Sequence, residues 1–240
     1  MKVIIVGANG FVGKLCVEEF LKNGHEVVAK IDKAGDGVLN SVYDYSGKAD
    51  MIVDFSFHTS AKDICDYAVK NGIPAVIATT GHTEEEKDII RHAAESIPVF
   101  YSGNMSMGVA LLLDFAKRAA ETFPDADVEI LEIHHNRKAD APSGTALMIA
   151  DSVSEVRKGA NIVCGRSGAA KRDKNDVSIA SLRLANVTGI HEVYVSTPSE
   201  TITIKHEAHD RRLFAQGAVK AAEYLLGKPC GIYDIKSMKL

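Results

Sequence analysis

The stretch "KVIIVGANGFVGKLCVEEFLKNGHEVVAKID", residues 2–32, decides the fold. It opens with a β-branched run that ends at Gly7, and such a run predicts a buried strand. Apolar residues then recur at helical spacing until Asn23-Gly24, a pair that favours a helix C-terminus. A second strand follows and ends at Asp32. The order strand, helix, strand predicts a unit of a parallel sheet.

The same alternation continues beyond this unit. We predict strands in "ADMIVDFS", "PAVIATTG" and "PVFYSG", separated by helices in "SAKDICDYAVKNG" and "TEEEKDIIRHAAES". The second of these helices carries Thr83 as its N-cap, with Glu86 three residues later, which is the pattern of a capping box. The first part of the chain therefore predicts an α/β domain with a parallel sheet.

The pattern changes after about Asn104. A long helix, "SMGVALLLDFAKRAAETF", precedes a long alternating strand, "ADVEILEIHHN", and then a helix, "SGTALMIADSVSEVRKG". Three strands follow with no helix between them, "VSIASLRLAN", "HEVYVSTPS" and "ETITIKHEAH", with a turn predicted at Pro198–Glu200. This clustering predicts an antiparallel or mixed sheet in a second domain. We expect the last helix, near residues 211–226, to return to the first domain.

Composition excludes several classes of protein. The chain has 240 residues, 46% of them hydrophobic, and a net charge of −4, so it lacks the basic excess of a nucleic-acid-binding protein. Its four cysteines are scattered, which argues against a disulfide scaffold or a zinc ribbon. No apolar run approaches the roughly 18 residues that a membrane span needs. We expect a cytoplasmic protein without nucleic-acid or membrane partners.

A glycine-rich turn joins the first strand to the first helix. Gly7, Gly10 and Gly13 form the pattern G-x-x-G-x-x-G in the strand-to-helix context that dinucleotide binding requires. Glycines let a pyrophosphate approach the backbone, and the helix N-terminus offers free N–H groups. Asp32 can accept hydrogen bonds from a ribose, as in NADH, whereas Lys33 can meet the additional phosphate of NADPH. The alternative is that the glycines only make a tight turn.

A second polar segment, "EIHHNRKADAPSGTAL", occupies residues 132–147. Strand alternation places Glu132 and His134 on one face and His135 on the other, which argues against a metal site shared by the two histidines. His134 and Lys138 converge only if the chain turns near Arg137.

The residues after this turn predict an anion site. Ser143 is a natural N-cap, and a helix that begins at Ser143, Gly144 and Thr145 offers N–H groups and a hydroxyl to a carboxylate. An imidazole and an ammonium group beside it could supply the protons that accompany a reduction. The alternative is a charged loop between a strand and a helix.

In this segment and beyond it, the sequence resembles a known family, the 4-hydroxy-tetrahydrodipicolinate reductases of bacterial lysine and diaminopimelate biosynthesis. These enzymes are also called dihydrodipicolinate reductases. The family signature H-H-x-x-K-x-D-A-P-S-G-T-A stands without a gap at residues 134–146. Other family motifs match the glycine turn and four further segments, which are Thr79–Gly81, Asn104–Gly108, Gly189–His191 and Phe214–Ala218. The resemblance covers essentially the whole chain.

The resemblance implies a fold and a function. It implies a Rossmann-type domain over residues 1–104 and 212–240, and an α+β mixed-sheet domain over residues 105–211 that binds substrate and builds a homotetramer. The activity it implies is reduction of a small cyclic dicarboxylate by NADH or NADPH, with loss of water. Domain closure would exclude solvent from the reaction.

The resemblance also implies residue roles. His134 looks like the catalytic acid/base and Lys138 like the proton donor. The implied substrate contacts are His135, Lys138, Ser143, Gly144 and Thr145. The residues expected to bind the cofactor are Gly7, Ala8, Asn9, Gly10, Phe11, Val12, Asp32, Lys33, Ala78, Thr79, Thr80, Ser102, Gly103, Asn104 and Met105. No metal is expected.

The sequence departs from the family pattern outside the signature. Phe11 and Val12 stand where many members carry Arg-Met, so the choice between NADH and NADPH stays open. Ala78 replaces a glycine, Phe57-His58 replaces a proline after Ser56, and Ala185-Asn186 replaces a glycine pair.

Three alternative functions compete with this assignment. A short-chain dehydrogenase needs Tyr-x-x-x-Lys, and the match at Tyr224–Lys228 lies at the end of the last helix, where packing explains the tyrosine. A semialdehyde dehydrogenase needs an activated cysteine, and Cys164 has no evident base nearby. A non-catalytic NAD(H) sensor would have no need of His134 and Lys138. His191 is a further candidate for the substrate cleft.

Overall fold

The computed structural model describes residues 1–238. The chain divides into two compact units, one made of Met1–Met107 together with the chain from Arg211 onward, and the other of Gly108–Asp210. The strands are β1 (Lys2–Val6), β2 (Glu26–Ile31), β3 (Met51–Asp54), β4 (Ala75–Ile77), β5 (Pro98–Tyr101), β6 (Asp127–His134), β7 (Asn161–Cys164), β8 (Asp176–Arg183), β9 (Gly189–Ser196), β10 (Thr201–Ala208) and β11 (Gly231–Tyr233). The α-helices are α1 (Phe11–Lys22), α2 (Ala61–Asn71), α3 (Glu84–Ala93), α4 (Met107–Thr122), α5 (Gly144–Ser154) and α6 (Arg212–Leu225).

The first unit is built on a parallel sheet in the order β11-β5-β4-β3-β1-β2. The chain moves from β1 to β2 on one side and then returns to β3 on the other side. This change of direction makes β1 a topological switch point, and ligands of such sheets bind at the carboxyl ends of the strands beside it. The predicted glycine turn lies at that end of β1.

Helix α1 packs through one narrow face, because its buried residues are Gly13, Cys16, Glu19 and Phe20. Glu19 is a buried carboxylate, and the Arg212 guanidinium lies 3.0 Å from it. Arg212 is the first residue of α6, so this ion pair ties the last helix to the first, as the expected return of the chain requires. The capping box predicted at Thr83 and Glu86 is present at the start of α3.

The second unit is built on a mixed sheet in the order β10-β9-β6-β8-β7. The central strand β6 pairs antiparallel with β9 and parallel with β8. Its side chains alternate, so that Val128 and Ile130 are buried in a core shared with α4 and α5, while Glu129 and Leu131 face the other side. Glu132 continues the buried row, which places a carboxylate at the end of an apolar stripe.

These observations confirm the predicted fold class, a Rossmann-type parallel-sheet domain with a second mixed-sheet domain. The hairpin turn predicted at Pro198–Glu200 joins β9 to β10. Two strands were missed, β7 and β11, because both are short edge strands without clear alternation. The strand predicted in "PAVIATTG" ends at Ile77, so the two threonines after it belong to a loop.

Candidate active site

The glycine turn leaves the backbone open beside the end of β1. Gly7 has a φ of +77°, and a Cβ built there would lie 2.4 Å from the carbonyl oxygen of Phe55. A Cβ at Gly13 would lie 1.9 Å from the carbonyl oxygen of Gly7. Only glycine fits either position, so the turn and the start of α1 pack against each other without side chains. This is the geometry that a dinucleotide pyrophosphate needs.

Asp32 lies at the end of β2, facing the same turn. Its carboxylate accepts hydrogen bonds from the backbone N–H groups of Asn9 and Lys33, each at 2.8 Å. These contacts fix the carboxylate while leaving it lone pairs for a ribose hydroxyl. Five of the expected cofactor residues line one cavity of about 470 Å³, namely Gly7, Asn9, Gly10, Asp32 and Lys33.

Several further residues that line this cavity were not predicted to bind the cofactor. They come from the chain after β2 and after β3, and they are Asn40, Phe55, Ser56, Phe57, Ser60 and Asp63. The Lys33 ammonium lies 5.5 Å from the centre of the Phe57 ring, so the cation rests over an aromatic face. The cavity thus offers a carboxylate, a cation and an aromatic ring, and it fits a nucleotide.

Three expected cofactor residues lie beside this cavity but do not line it. Ala8 is buried, and its N–H group donates to the carbonyl of Ile31 at 3.1 Å. Phe11 is 64% exposed, and the Arg211 guanidinium lies 5.5 Å from its ring centre. Val12 is half-buried in the first turn of α1.

The remaining expected cofactor residues follow β4 and β5, which are neighbouring strands of the sheet. Thr79 is buried and Thr80 exposed, and a Cβ built at Gly103 would lie 3.8 Å from the Thr80 methyl group. The Ser102 hydroxyl donates to the carbonyl of Asn104 at 2.7 Å, which folds that segment into a compact turn. Ala78 and Met105 flank these turns. The structure therefore brings the two segments together at the carboxyl ends of β4 and β5.

In the second unit, His134 is the last residue of β6. Its Nδ1 lies 2.5 Å from a carboxylate oxygen of Glu132, two residues earlier on the same face. Its Nε2 faces the adjacent strand, where a Cβ built at Gly189 would lie 3.1 Å away. The ring of His191 meets the His134 ring edge-on, with centroids 5.2 Å apart. The imidazole is therefore fixed on three sides.

Glu132 is fully buried, and its charge is balanced by Arg183 on β8. The two guanidinium nitrogens of Arg183 donate to the two carboxylate oxygens at 3.0 and 2.8 Å. Burial alone would raise the pKa of Glu132, but the hydrogen bonds from His134 and Arg183 outweigh it and lower the pKa to about 2. Sequence analysis placed Glu132 on the His134 face without giving it a role, and it missed Arg183 because no local pattern marks it.

Ser143 caps the N-terminus of α5 and connects it to His191 and to Glu132. Its hydroxyl accepts from the N–H group of Ala146 at 3.2 Å and lies 3.1 Å from Nε2 of His191. Its own N–H group donates to Glu132 at 3.2 Å. Burial, followed by the nearby His134, lowers the pKa of His191 to about 3, so His191 is neutral. The N–H group of Ser143 is thus engaged within the protein, whereas its hydroxyl has the capacity for a further hydrogen bond.

The chain turns after His134, near Arg137, as the sequence predicted. The N–H group of Lys138 donates to the carbonyl of His135 at 3.1 Å, closing a turn around Arg137. The Lys138 ammonium lies 2.8 Å from the Asp140 carboxylate, and this hydrogen bond lowers the pKa of Asp140. Arg183 also donates to the Asp140 carbonyl at 2.6 Å, so it holds the turn against the sheet.

The other expected substrate residues lie at the start of α5 and in the turn. Gly144 is exposed, and a Cβ built there would meet nothing within 4 Å. Thr145 is half-buried in the same helical turn, and His135 is half-buried directly after β6. A helix N-terminus favours negative charge, so the open surface at Gly144 suits an anion.

The alternative catalytic groups have other surroundings. The Tyr224 hydroxyl donates to the carbonyl of Ser237 at 3.0 Å, and its ring packs edge-on against Phe100 and Tyr233. Cys164 is exposed at the end of β7. Within residues 1–238, no three His, Cys, Asp or Glu side chains are arranged to hold a metal ion. No helix in this range is long and apolar enough to cross a membrane.

Taken with the fold, the two sites define a Rossmann-type oxidoreductase that uses NADH or NADPH. Comparison with protein families gives two matches, "Dihydrodipicolinate reductase, N-terminus" over residues 1–105 and "Dihydrodipicolinate reductase, C-terminus" over residues 108–238. The chain belongs to the dihydrodipicolinate reductase family.

Curated relatives agree over nearly the full length. The 4-hydroxy-tetrahydrodipicolinate reductase of Clostridium tetani is 37% identical, covering 99% of this chain and 96% of that protein. The enzyme of the same name from Caldanaerobacter subterraneus subsp. tengcongensis is 39% identical, covering 99% and 98%.

Solved structures support the fold. The dipicolinate-bound dihydrodipicolinate reductase of Paenisporosarcina sp. TG-14 aligns with a TM-score of 0.80 at 24% identity, over 100% of this chain and 99% of that one. Aspartate dehydrogenase of Thermotoga maritima shares the fold more distantly, with a TM-score of 0.54 at 16% identity, over 95% and 97% of the two chains.

Proposed function

We propose that this protein catalyses the NAD(P)H-dependent reduction of 4-hydroxy-tetrahydrodipicolinate to tetrahydrodipicolinate, with loss of water, in lysine and diaminopimelate biosynthesis. The observation that carries the proposal is the placement of His134 within the family signature. Its imidazole is held by Glu132, and the same carboxylate accepts from Arg183 and from Ser143 at the start of α5. A proton-transfer group and an anion-binding helix end are therefore anchored to one carboxylate.

The chemistry follows from the groups around this carboxylate. Lys138 protonates the departing hydroxyl of the substrate, which leaves as water while the neighbouring carbon loses a proton to solvent, and the product of this step is a conjugated imine. When bound, NADH or NADPH supplies the hydride that reduces the imine, and His134 adds the proton that completes the product. The N–H groups at Gly144 and Thr145 receive a substrate carboxylate. His135 and Ser143 complete the proposed substrate contacts.

The first unit takes the role of the cofactor domain. The glycine turn receives the pyrophosphate, and Asp32 receives the adenosine ribose. The loops after β4 and β5, Ala78–Thr80 and Ser102–Met105, follow the carboxyl ends of these strands, where we propose that the nicotinamide binds. Lys33 is positioned near enough to Asp32 to serve an additional phosphate, so both cofactors are included in the proposal.

Assembly and location are also inferred from the family resemblance. We expect a homotetramer built through the second unit, and a cytoplasmic protein. Size-exclusion chromatography with light scattering tests the first expectation, because a tetramer has four times the 25.8 kDa mass of the chain.

The direct test is a coupled assay. A synthase generates the unstable substrate in the cuvette, and the loss of NADH or NADPH absorbance reports turnover. Replacing His134→Gln or Lys138→Met should lower kcat by about 10² or more, the usual scale for a general acid. His92→Gln serves as a control, since the His92 side chain is 84% exposed in the first unit. Cofactor binding without turnover in the parent would instead indicate a sensor.

A further inference from the structure

Glu132 has surroundings unlike those of any other carboxylate on its strand. Its side chain is wholly buried, whereas the side chain of Glu129, three residues earlier on β6, is 44% exposed. Burying an ionised carboxylate is unfavourable unless donors surround it. Glu132 lies on the same buried face of β6 as Val128 and Ile130. Its hydrogen-bond partners therefore explain how a charged side chain is accommodated there.

Each oxygen of Glu132 accepts two hydrogen bonds. Oε2 accepts from His134 Nδ1 at 2.5 Å and from Arg183 at 3.0 Å. Oε1 accepts from the Ser143 N–H group at 3.2 Å and from Arg183 at 2.8 Å. Of these four contacts, the three from Arg183 and Ser143 come from groups that can only donate, so the carboxylate acts as an acceptor at both oxygens.

This arrangement determines which nitrogen of His134 carries hydrogen. An ionised carboxylate only accepts hydrogen bonds, so Nδ1 must be protonated. The pKa of Glu132, lowered to about 2, keeps the carboxylate ionised under any working condition. The exchangeable position on His134 is then Nε2, the nitrogen beside the bare backbone of Gly189.

We propose that Glu132 is the positioning residue of this site, holding His134 with hydrogen on Nδ1 so that Nε2 transfers the proton. The proposal rests on the function proposed above for His134. Both forms of the imidazole in that reaction, the doubly protonated ring before transfer and the neutral ring after it, carry hydrogen on Nδ1. The bond to Glu132 therefore persists through the step, and the ring does not turn.

Glu132 also links the imidazole to the anion site. The same carboxylate holds the N–H group of Ser143, and Arg183 bridges from Glu132 to the carbonyl of Asp140. Glu132 and Arg183 thereby fix His134 relative to the start of α5 and to the turn that carries Lys138.

A glutamine at position 132 would break this arrangement whichever way its amide points. With the NH₂ group toward His134, Nδ1 must accept, and only the neutral ring with hydrogen on Nε2 fits. A neutral imidazole is far too weak an acid to release that hydrogen as a proton to the substrate. With the NH₂ group toward Ser143, two N–H donors oppose each other at the start of α5.

The test measures the position of the proton directly. Full-length protein labelled with ¹⁵N in its histidines is examined by long-range proton–nitrogen NMR, and the His134 signal is identified by its absence in His134→Gln. The proposal expects the neutral ring of the parent to carry hydrogen on Nδ1. A parent ring with hydrogen on Nε2 overturns it, and this measurement needs no variant at position 132 to fold.

The matched variants are Glu132→Gln and Glu129→Gln, two carboxylates of one strand that both pair with arginines. Glu132→Gln should shift the His134 ring toward the Nε2 form and lower kcat by about 10². Its affinity for NADH, a property of the first unit, should stay within about twofold. Glu129→Gln should change neither the ring nor kcat. An unchanged His134 ring in folded Glu132→Gln would contradict the proposal.

A parent protein that does not turn over the substrate refutes the proposed function. A parent that turns it over with the His134 proton on Nε2 refutes the role of Glu132 alone.

Discussion

The glycine turn of the first unit and the Glu132 cluster of the second unit are built on opposite physical principles. The turn consists of backbone atoms, and it exists because Gly7 and Gly13 lack side chains. The cluster is centred on a side chain, and it exists because one buried carboxylate meets donors from its own strand, from β8 and from the start of α5. A steric change should therefore destroy the first site, whereas a change of charge should destroy the second.

The largest effect should follow from removing the cation of the cluster. Arg183→Met leaves Glu132 buried without its guanidinium, and breaking a buried pair in this way typically costs about 3–5 kcal/mol. Urea unfolding at neutral pH should show this loss. Arg172→Met is the matched control, because Arg172 is 20% exposed against 19% for Arg183, but its carboxylate partners Glu129 and Asp127 are 44% and 57% exposed.

The same variant has a pH dependence of defined sign. The folded pKa of Glu132, about 2, lies below its ordinary value of 4.5. The carboxylate therefore contributes its full stability above about pH 4.5, and that contribution is lost as the pH falls toward 2. The difference between parent and Arg183→Met should be greatest at pH 7 and shrink on acidification. A difference that stays constant down to the acid transition would show that Glu132 is not the group involved.

The second effect in size concerns the glycine turn. Gly7→Ala must place a Cβ 2.4 Å from the Phe55 carbonyl oxygen at a φ of +77°. The left-handed conformation costs about 1–2 kcal/mol and the overlap a further 1–3 kcal/mol, so the unfolding free energy should fall by about 3 kcal/mol. Affinity for NADH should fall by about 10²-fold, because the turn must open to relieve the contact.

Gly24 provides a close control for that measurement. Its φ is +78°, yet a Cβ built there meets nothing within 4 Å. Gly24→Ala should therefore lose only the conformational part, about 1 kcal/mol, and keep normal NADH affinity. Equal losses in both variants would mean that φ alone matters and that the contact with Phe55 relaxes freely.

The difference between the two regions also explains how far sequence analysis reached. The glycine turn, Asp32 and the strand-helix-strand unit lie within 32 consecutive residues, so local pattern predicted them together. The N-cap at Ser143 and the chain reversal near Arg137 were predicted for the same reason. The strand alternation even placed Glu132 beside His134.

What sequence reasoning could not reach were the partners brought by strand pairing. Arg183 is 51 residues from Glu132 in sequence, and it arrives only because β8 lies parallel to β6. His191, which the sequence marked only as a candidate for the substrate cleft, is 48 residues from Ser143, and its contact with Ser143 arises because it lies on β9. No local pattern gives the hydrogen-bond partners of either residue, because the register of the sheet depends on the whole second unit.

The smallest effect should come from a methyl group beside His134. Gly189 lies opposite His134 on β9, and a Cβ there would be 3.1 Å from Nε2. The imidazole has little room to yield, since Glu132 holds Nδ1 and the His191 ring stands against its face. Gly189→Ala should therefore displace the ring by a few tenths of an ångström and lower kcat by about tenfold, a fraction of the cost of a full ångström. The φ of Gly189 is not in the left-handed region, so alanine suits the backbone and the thermal midpoint should change little. A normal kcat would contradict this prediction. It would show that the His134 ring moves freely and that the second site tolerates a steric change.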